Sequence, residues 1–313
     1  MNIASQINTS YNLNEGQKHA ADKFFEFLFS PESEFIISGP AGTGKTYLMN
    51  YIIDNTMPRY HEMCNLVGLK PEYDSVIMTA TTNKAAEVLS NVVGRPTSTV
   101  HSFFNLTVKD DFTTGQTILK RTNNWTIHRN NIIFIDESSM IDTELWKMLH
   151  EGTMDCKLVY VGDRHQLAPI AESMSPIYQH NNPMVELLEP VRNAGQPALM
   201  EVCEQLRETV ATGEFKPIKL VNTVIDHLDD HAMQMLMGTH FMNQTTDYRI
   251  LAYTNKRVIQ YNDHIRSLRQ LPPSFQKGEL LVNNNAYHHR NGMLTVEAEV
   301  EVFRNRGPSQ MMI

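Results

Sequence analysis

The chain has 313 residues, enough for two domains that each bury a substantial core. A net charge of −8 excludes a surface coated for nucleic-acid binding, although a local groove of amides, hydroxyls and a few Lys or Arg suffices for such contact. Cys64, Cys156 and Cys203 are odd in number and far apart, which argues against a disulfide scaffold and a zinc site alike. Free thiols in a cytoplasm fit this usage. No apolar run approaches a membrane span, and residues 1–14 are polar without a signal pattern.

In chain order, the apolar residues 35–37 predict a strand that feeds Gly39, Pro40, Ala41, Gly42, Thr43, Gly44, Lys45 and Thr46. This run matches G-x-x-x-x-G-K-[ST] in its strand–loop–helix setting, with a helix predicted over 45–56. The glycines let backbone amides wrap phosphates, Lys45 can reach the β- and γ-phosphates, and the Thr46 hydroxyl can bind Mg²⁺. Residues 57–74, which contain Pro, His and Met, are expected to form a long surface connection. Strand 76–80 and helix 84–93 follow. Residues 105–130 depart from the pattern as an insertion, with a hairpin tip at 113–116. Buried strands at 132–135 and 158–161 end in Asp136-Glu137 and Gly162-Asp163. Alternating strands and helices of this kind predict a parallel sheet covered on both faces, with ligands at the carboxyl ends of its strands.

A second unit is expected after residue 193. It holds helices 198–212, stopped by Gly213, and 226–237, then strand 249–252 and helix 256–269. From about 271 to 313 short strands, such as 279–282 and 294–303, alternate with polar turns. The pair His227 and His231 lacks a third metal ligand and reads as a solvated face, as does His288-His289. The abundance of methionine reads as core filling.

The chemistry concentrates on the strand ends. Asp136 can hold Mg²⁺ through water opposite Thr46, and Glu137 can orient or deprotonate an attacking water. In V-G-D-R-H-Q-L-A-P, residues 161–169, a carboxylate and the amide of Gln166 can sense a γ-phosphate. Here the sequence resembles superfamily 1 helicases, whose third motif is G-D-x-x-Q-L-x-P. Residues 13–17 resemble their Q motif, which implies that Gln17 reads the adenine edge. Residues 80–86, A-T-T-N-K-A-A, resemble A-P-T-x-K-A-A with Thr81 where proline is usual. Residues 97–102 match T-x-H-S, and 188–193 resemble L-x-E-x-x-R, which makes Arg192 the arginine expected on the γ-phosphate. Residues 251–256 match the motif opening a second RecA-like domain.

The ordered set spans residue 13 to about 266 and resembles the RecD/Dda-like 5′→3′ branch, superfamily 1B. It implies an α/β fold: a P-loop RecA-like parallel sheet over residues 1–193 with a hairpin insertion at 105–130. An incomplete second RecA-like domain follows over 194–313, with the start of a β-rich insertion at about 271. It implies ATP and Mg²⁺ as cofactors and an ATP-dependent helicase or translocase on single-stranded DNA. Thr82, Lys84, Thr99, His101, Asn255 and Lys256 are its DNA contacts, and Phe112 at the hairpin tip is either a stacking wedge or an ordinary half-buried surface residue. Two later family motifs have no counterpart after Asn262. The expectation is therefore a split or truncated helicase completed by a second polypeptide. The alternatives are a nucleotide- and DNA-binding protein with little motor activity, a RecD-like subunit of a nuclease complex, or a non-helicase P-loop ATPase.

Overall fold

The computed structural model describes residues 11–73, 75–111, 116–169, 172–191, 196–245, 247–283, 287–289, 292–294 and 298–303. The chain divides into two compact units, Met1–Ile218 and Lys219–Ile313. The first unit begins with α1 (Glu15–Leu28), β1 (Glu34–Ser38), α2 (Lys45–Tyr51), a π-helical turn (Ile52–Thr56) and α3 (Met57–Leu66). It continues with β2 (Ser75–Ala80), α4 (Asn83–Val93), β3 (Thr97–Thr99), α5 (Val100–Phe103), and the strands β4 (Leu106–Asp111) and β5 (Gln116–Arg121). After β6 (His128–Arg129) come β7 (Asn131–Asp136), α6 (Thr143–Glu151), β8 (Thr153–Met154), β9 (Lys157–Gly162), β10 (Met184–Glu186) and α7 (Pro197–Thr212).

Six strands form one parallel sheet in the order β10-β1-β9-β7-β2-β3. Side chains alternate across a strand, so the all-apolar runs bury both faces. Phe35 and Ile37 of β1, Ile132 and Phe134 of β7, and Val159 and Val161 of β9 pack with residues of α1, α2 and α3. Their neighbours Ile36, Ile133, Ile135, Leu158 and Tyr160 pack with residues of α5 and α6 on the other face. The expected insertion is an antiparallel hairpin, β4 with β5, whose tip at 112–115 lies outside the described residues.

Three expectations need correction. Residues 57–66 are helical rather than a surface connection, with Met57, Tyr60 and Cys64 buried. Pro58 does not break the helix because it sits in the first turn after the π-helical turn, where its missing N–H is not needed. Residues 249–252 form no strand, and Leu251 is 91% exposed. An isolated extended segment gains no stability without a neighbour to ladder with. His227 lies outside α8 (Asp230–His240), so it shares no helical face with His231. The division between the compact units falls after Ile218 and places α7 with the first.

In the second unit α8 is followed by α9 (Asn255–Leu268), β11 (Leu280–Val282), β12 (Tyr287–His289), β13 (Gly292–Leu294) and β14 (Glu299–Glu301). The described strands form two antiparallel pairs, β11 with β14 and β12 with β13. Arg269, the residue that ends α9, donates to the carbonyls of Phe241 and Asn243, both at 2.6 Å, tying α9 to the end of α8.

At the amino-terminal edge of the sheet, opposite the phosphate loop, Glu34 collects four donors. Tyr160 Oη lies at 2.7 Å, Asn182 Nδ2 at 2.9 Å, His150 Nε2 at 3.1 Å and Trp146 Nε1 at 3.2 Å. Burial pushes Glu34 up, but the bonds from His150 and Tyr160 outweigh it and hold the carboxyl below its ordinary value. Burial pushes His150 down, but the bonds to Glu34 and the Trp146 carbonyl outweigh it and raise the ring.

Glu34→Ala leaves these donors without an acceptor and is expected to cost about 3 kcal/mol in urea unfolding. The Glu34 contribution holds above the ordinary carboxyl value of about 4.3 and fades as pH falls through its lowered one. The His150 contribution is full below about 6.5 and fades as pH rises through its raised value. The loss is therefore greatest at about pH 5–6. A loss that is flat from pH 4 to pH 9 would show that the pair carries no charge.

Candidate nucleotide and nucleic-acid site

β1 ends at Ser38 beside Gly162 of β9, and the phosphate loop starts on the next residue. The Gly39 N–H donates to the Gly162 carbonyl at 3.0 Å, while the chain after β10 returns as Leu187 N–H donates to the Ser38 carbonyl at 2.8 Å. A Cβ on Gly39 would lie 2.6 Å from the Leu187 carbonyl, so only glycine fits this crossing. Gly44 has φ +80 and also faces Gln17, whose Nε2 a Cβ would meet at 2.4 Å.

Gln17 is buried: its Nε2 donates to the Thr43 carbonyl at 3.1 Å and its Oε1 accepts the Asn14 N–H at 3.1 Å. One side chain thus caps α1 and braces the loop from behind. Thr43 Oγ1 donates to the Pro40 carbonyl at 2.9 Å, closing the turn around Ala41 and Gly42. Lys45 Nζ lies over the same loop, 2.7 Å from the Gly39 carbonyl and 3.0 Å from that of Pro40. Lys45 and Thr46 open α2, whose amino end faces the loop.

Asp136 ends β7, two strands from β1, with β9 between them. Its Oδ1 accepts the Glu137 N–H at 3.0 Å. Burial and the neighbouring Glu137 charge raise Asp136 to about 6, against the pull of that hydrogen bond and of Lys45. Burial lowers Lys45, and Asp136, Asp163 and Glu137 oppose that shift. Three carboxylates therefore share one field with Lys45. Glu137 itself adopts left-handed backbone, φ 53 and ψ 40.

Asp163 follows β9 and is buried. Its backbone carbonyl accepts the Gln166 N–H at 3.0 Å and its Oδ1 accepts the His165 N–H at 3.0 Å, so this carboxylate organises the turn that presents an exposed Gln166. Arg192 and Phe112 lie outside the described residues. Val191, next to Arg192, donates its N–H to the Gly42 carbonyl at 2.7 Å, which brings that segment onto the phosphate loop.

The nucleic-acid candidates of the first unit sit on adjacent strand ends. Ala80 of β2 pairs with Thr99 of β3 on one side and with Asp136 on the other. Thr82 caps α4 by accepting the Ala85 N–H at 3.1 Å, and Thr99 caps α5 by accepting the Ser102 N–H at 3.1 Å. Lys84, in the first turn of α4, pairs with Glu87 at 3.2 Å on an exposed surface. Burial lowers His101 below its ordinary value, with Asp142 opposing. Asn255 and Lys256 open α9 in the second unit behind the Thr254 cap, and both are exposed.

Two contributors escaped the sequence reading. β10 is three residues long, too short for any periodicity, yet it completes the sheet beside β1. Arg207 of α7 places Nη1 2.6 Å from Asp163 Oδ2 and Nη2 3.8 Å from Glu186 Oε1. A lone arginine in a helix carries no motif signal, because its partner lies far away in sequence.

A six-stranded parallel sheet with a glycine loop, a lysine and acidic residues at its carboxyl edge is the architecture of a P-loop domain of RecA-like fold. A family model for the AAA domain matches residues 12–231. The chain belongs to the AAA domain family, and within it carries the motifs of the superfamily 1B helicases. The ATP-dependent DNA helicase Dda of enterobacteria phage T4 is 26% identical over 285 residues, which cover 86% of this chain and 60% of that protein. An uncharacterised mimivirus protein is 25% identical over 208 residues, 62% of this chain and 42% of its own length. The chain thus spans less than two thirds of the length of either curated relative. The structure of Bacteroides sp. Pif1 in complex with ADP-AlF4 shares the fold, with a TM-score of 0.50 and 15% identity over 93% of this chain and 64% of that one.

Arg207→Ala leaves the buried Asp163 carboxylate without its counter-charge. A double-mutant cycle with Asp163→Asn, read by thermal unfolding, is expected to give a coupling of about 1–3 kcal/mol. Additive single effects would mean that the pair contributes nothing.

Proposed function

We propose that this chain is an ATP-dependent 5′→3′ DNA helicase or translocase acting on single-stranded DNA. The observation that carries this reading is the convergence at one sheet edge. The phosphate loop, Asp136, Glu137 and the Gln166 turn follow β1, β7 and β9, and the Thr82 and Thr99 segments follow the next strands along. The phage T4 relative, named an ATP-dependent DNA helicase, supports the same assignment.

Asp136, Glu137 and Asp163 leave the site short of positive charge, so a triphosphate needs a divalent cation to enter. Mg²⁺ fits the donors present, because the Asp136 carboxylate and the Thr46 hydroxyl are hard oxygen ligands, and it would neutralise charge developing on the phosphates. Lys45 and the amides of residues 39–46 hold the β- and γ-phosphates. Gln17 keeps that loop in shape and, as the resemblance implies, lies on the adenine side. Glu137 orients and deprotonates the water whose oxygen bonds to the γ-phosphorus, as the bond to the ADP oxygen breaks. Arg192 would stabilise the same charge, and Gln166 would report the γ-phosphate to the DNA side. Thr82, Lys84, Thr99 and His101 grip the strand, in alternation with Asn255 and Lys256, while Phe112 would stack at the fork. The contacts are backbone and stacking in kind, so binding has little sequence preference.

Single-stranded DNA is expected to stimulate ATP hydrolysis severalfold or more, and a duplex with a 5′ tail is expected to unwind in preference to one with a 3′ tail. Glu137→Gln should lower the stimulated kcat by roughly 10²-fold or more while leaving ATP binding in place. Lys45→Ala should abolish stimulated hydrolysis. An ATPase indifferent to DNA would identify a P-loop ATPase of another kind, and stimulation without unwinding of either duplex would identify a binding protein with little motor activity.

A further inference from the structure

Thr81 stands where the resembling motif has proline, and it bonds to both residues of the acidic pair. Its N–H donates to the Asp136 carbonyl at 3.2 Å, and its Oγ1 donates to the Glu137 carbonyl at 3.1 Å. A proline could make neither bond, since it has no N–H and no hydroxyl. These bonds fall on a backbone that needs holding. Glu137, with φ 53 and ψ 40, is a side-chain-bearing residue in the left-handed region, and such residues persist only where their surroundings over-determine them.

Hydrogen bonds on both sides of the residue hold that conformation. Glu137 N–H donates to Asp136 Oδ1 at 3.0 Å, and Met140 N–H reaches the Glu137 carbonyl at 3.3 Å. Thr81, the residue that follows β2, supplies a side-chain hydrogen bond to that carbonyl. The next residue, Thr82, caps α4, and Lys84 sits in the first turn of that helix. The segment assigned to DNA is therefore joined, through one side chain, to the backbone of the residue assigned to water activation.

We propose that Thr81 is a positioning residue that locks Glu137 in its left-handed conformation, so that a strand bound at Thr82 and Lys84 sets the rate of water attack. This rests on the reading of Glu137 given above. The step itself is the hydrolysis already described, and Thr81 touches neither water nor nucleotide in it. In this chain hydrogen bonds do the stiffening that a proline ring supplies through its fixed φ.

The test compares Thr81→Val, which keeps the branched shape and removes the hydroxyl, with Thr81→Ala and with Thr81→Ser, which keeps the hydroxyl. For each full-length protein one measures stimulated and unstimulated ATPase, KM for ATP, affinity for a fluorescent oligonucleotide and thermal unfolding. The DNA stimulation ratio of Thr81→Val and Thr81→Ala is expected to fall about tenfold, as a misplaced catalytic group implies, with KM for ATP and DNA affinity unchanged. Thr81→Ser is expected to keep the ratio within about twofold of the parent. A parental ratio in Thr81→Val, or an equal loss in Thr81→Ser, overturns the proposal. Glu137→Gln separates the two readings: if it hydrolyses ATP normally, the role of Glu137 fails and the Thr81 proposal with it. If it is inactive while Thr81→Val is normal, only the Thr81 proposal fails. Should the valine protein not fold, the alanine and serine pair decides alone.

Discussion

Parallel pairing of β1, β9 and β7 is the constraint on which the rest of the molecule depends. Because all three strands run the same way, Ser38, Gly162 and Asp136 reach one edge together, and every group of the phosphate site departs from there. Parallel strands require long crossovers, and the helices of those crossovers cover both faces. The apolar alternation that buries Phe35 and Ile37 on one face and Ile36 on the other thus also fixes where the chemistry lies. A slip of one residue would turn Ile36 to the wrong layer and move the loop away from Gly162.

Charge at that edge is held in tension. Lys45 is half-buried, and its ammonium rests on the carbonyls of Gly39 and Pro40. Three acidic groups oppose the lowering that burial imposes on it, and burial with the neighbouring Glu137 charge raises Asp136 to about 6. Arg207 relieves Asp163 from the far side, and the turn built on Asp163 carries Gln166. Glu137 adds backbone strain to this unmet charge. Backbone strain and carboxylates raised by burial cluster at ligand sites, which supports the reading proposed for this edge. The Glu34 cluster at the opposite edge shows the contrast: there every buried acceptor is matched by donors, and the result is stability.

Much of the first unit was legible from local pattern. The buried strands β2, β7 and β9, the helix stop at Gly213 and the hairpin β4–β5 follow from periodicity and turn chemistry. Where reading failed, a longer-range cause is visible. Residues 57–74 read as a surface connection, but a π-helical turn leads straight into the helix 57–66, with Pro58 in its first turn. Residues 249–252 have the composition of a strand, and strands form only where a partner is at hand. β10 gains its identity wholly from lying beside β1.

The sequence by itself determined the nucleotide-binding class and the family. The run from Gly39 to Thr46, the Asp136-Glu137 pair and the Gln166 segment are local signals whose spacing carries their chemistry. Only the tertiary structure decided what supports them. It turned Gln17 onto the Thr43 carbonyl, set Arg207 on Asp163 and joined Thr81 to both acidic carbonyls. Each of those contacts joins residues at least 26 positions apart, up to 56 in the case of Thr81 and Glu137. Motifs record the groups that meet the ligand, whereas the contacts that hold those groups in place arise when distant strands and helices pack, and no local pattern encodes them.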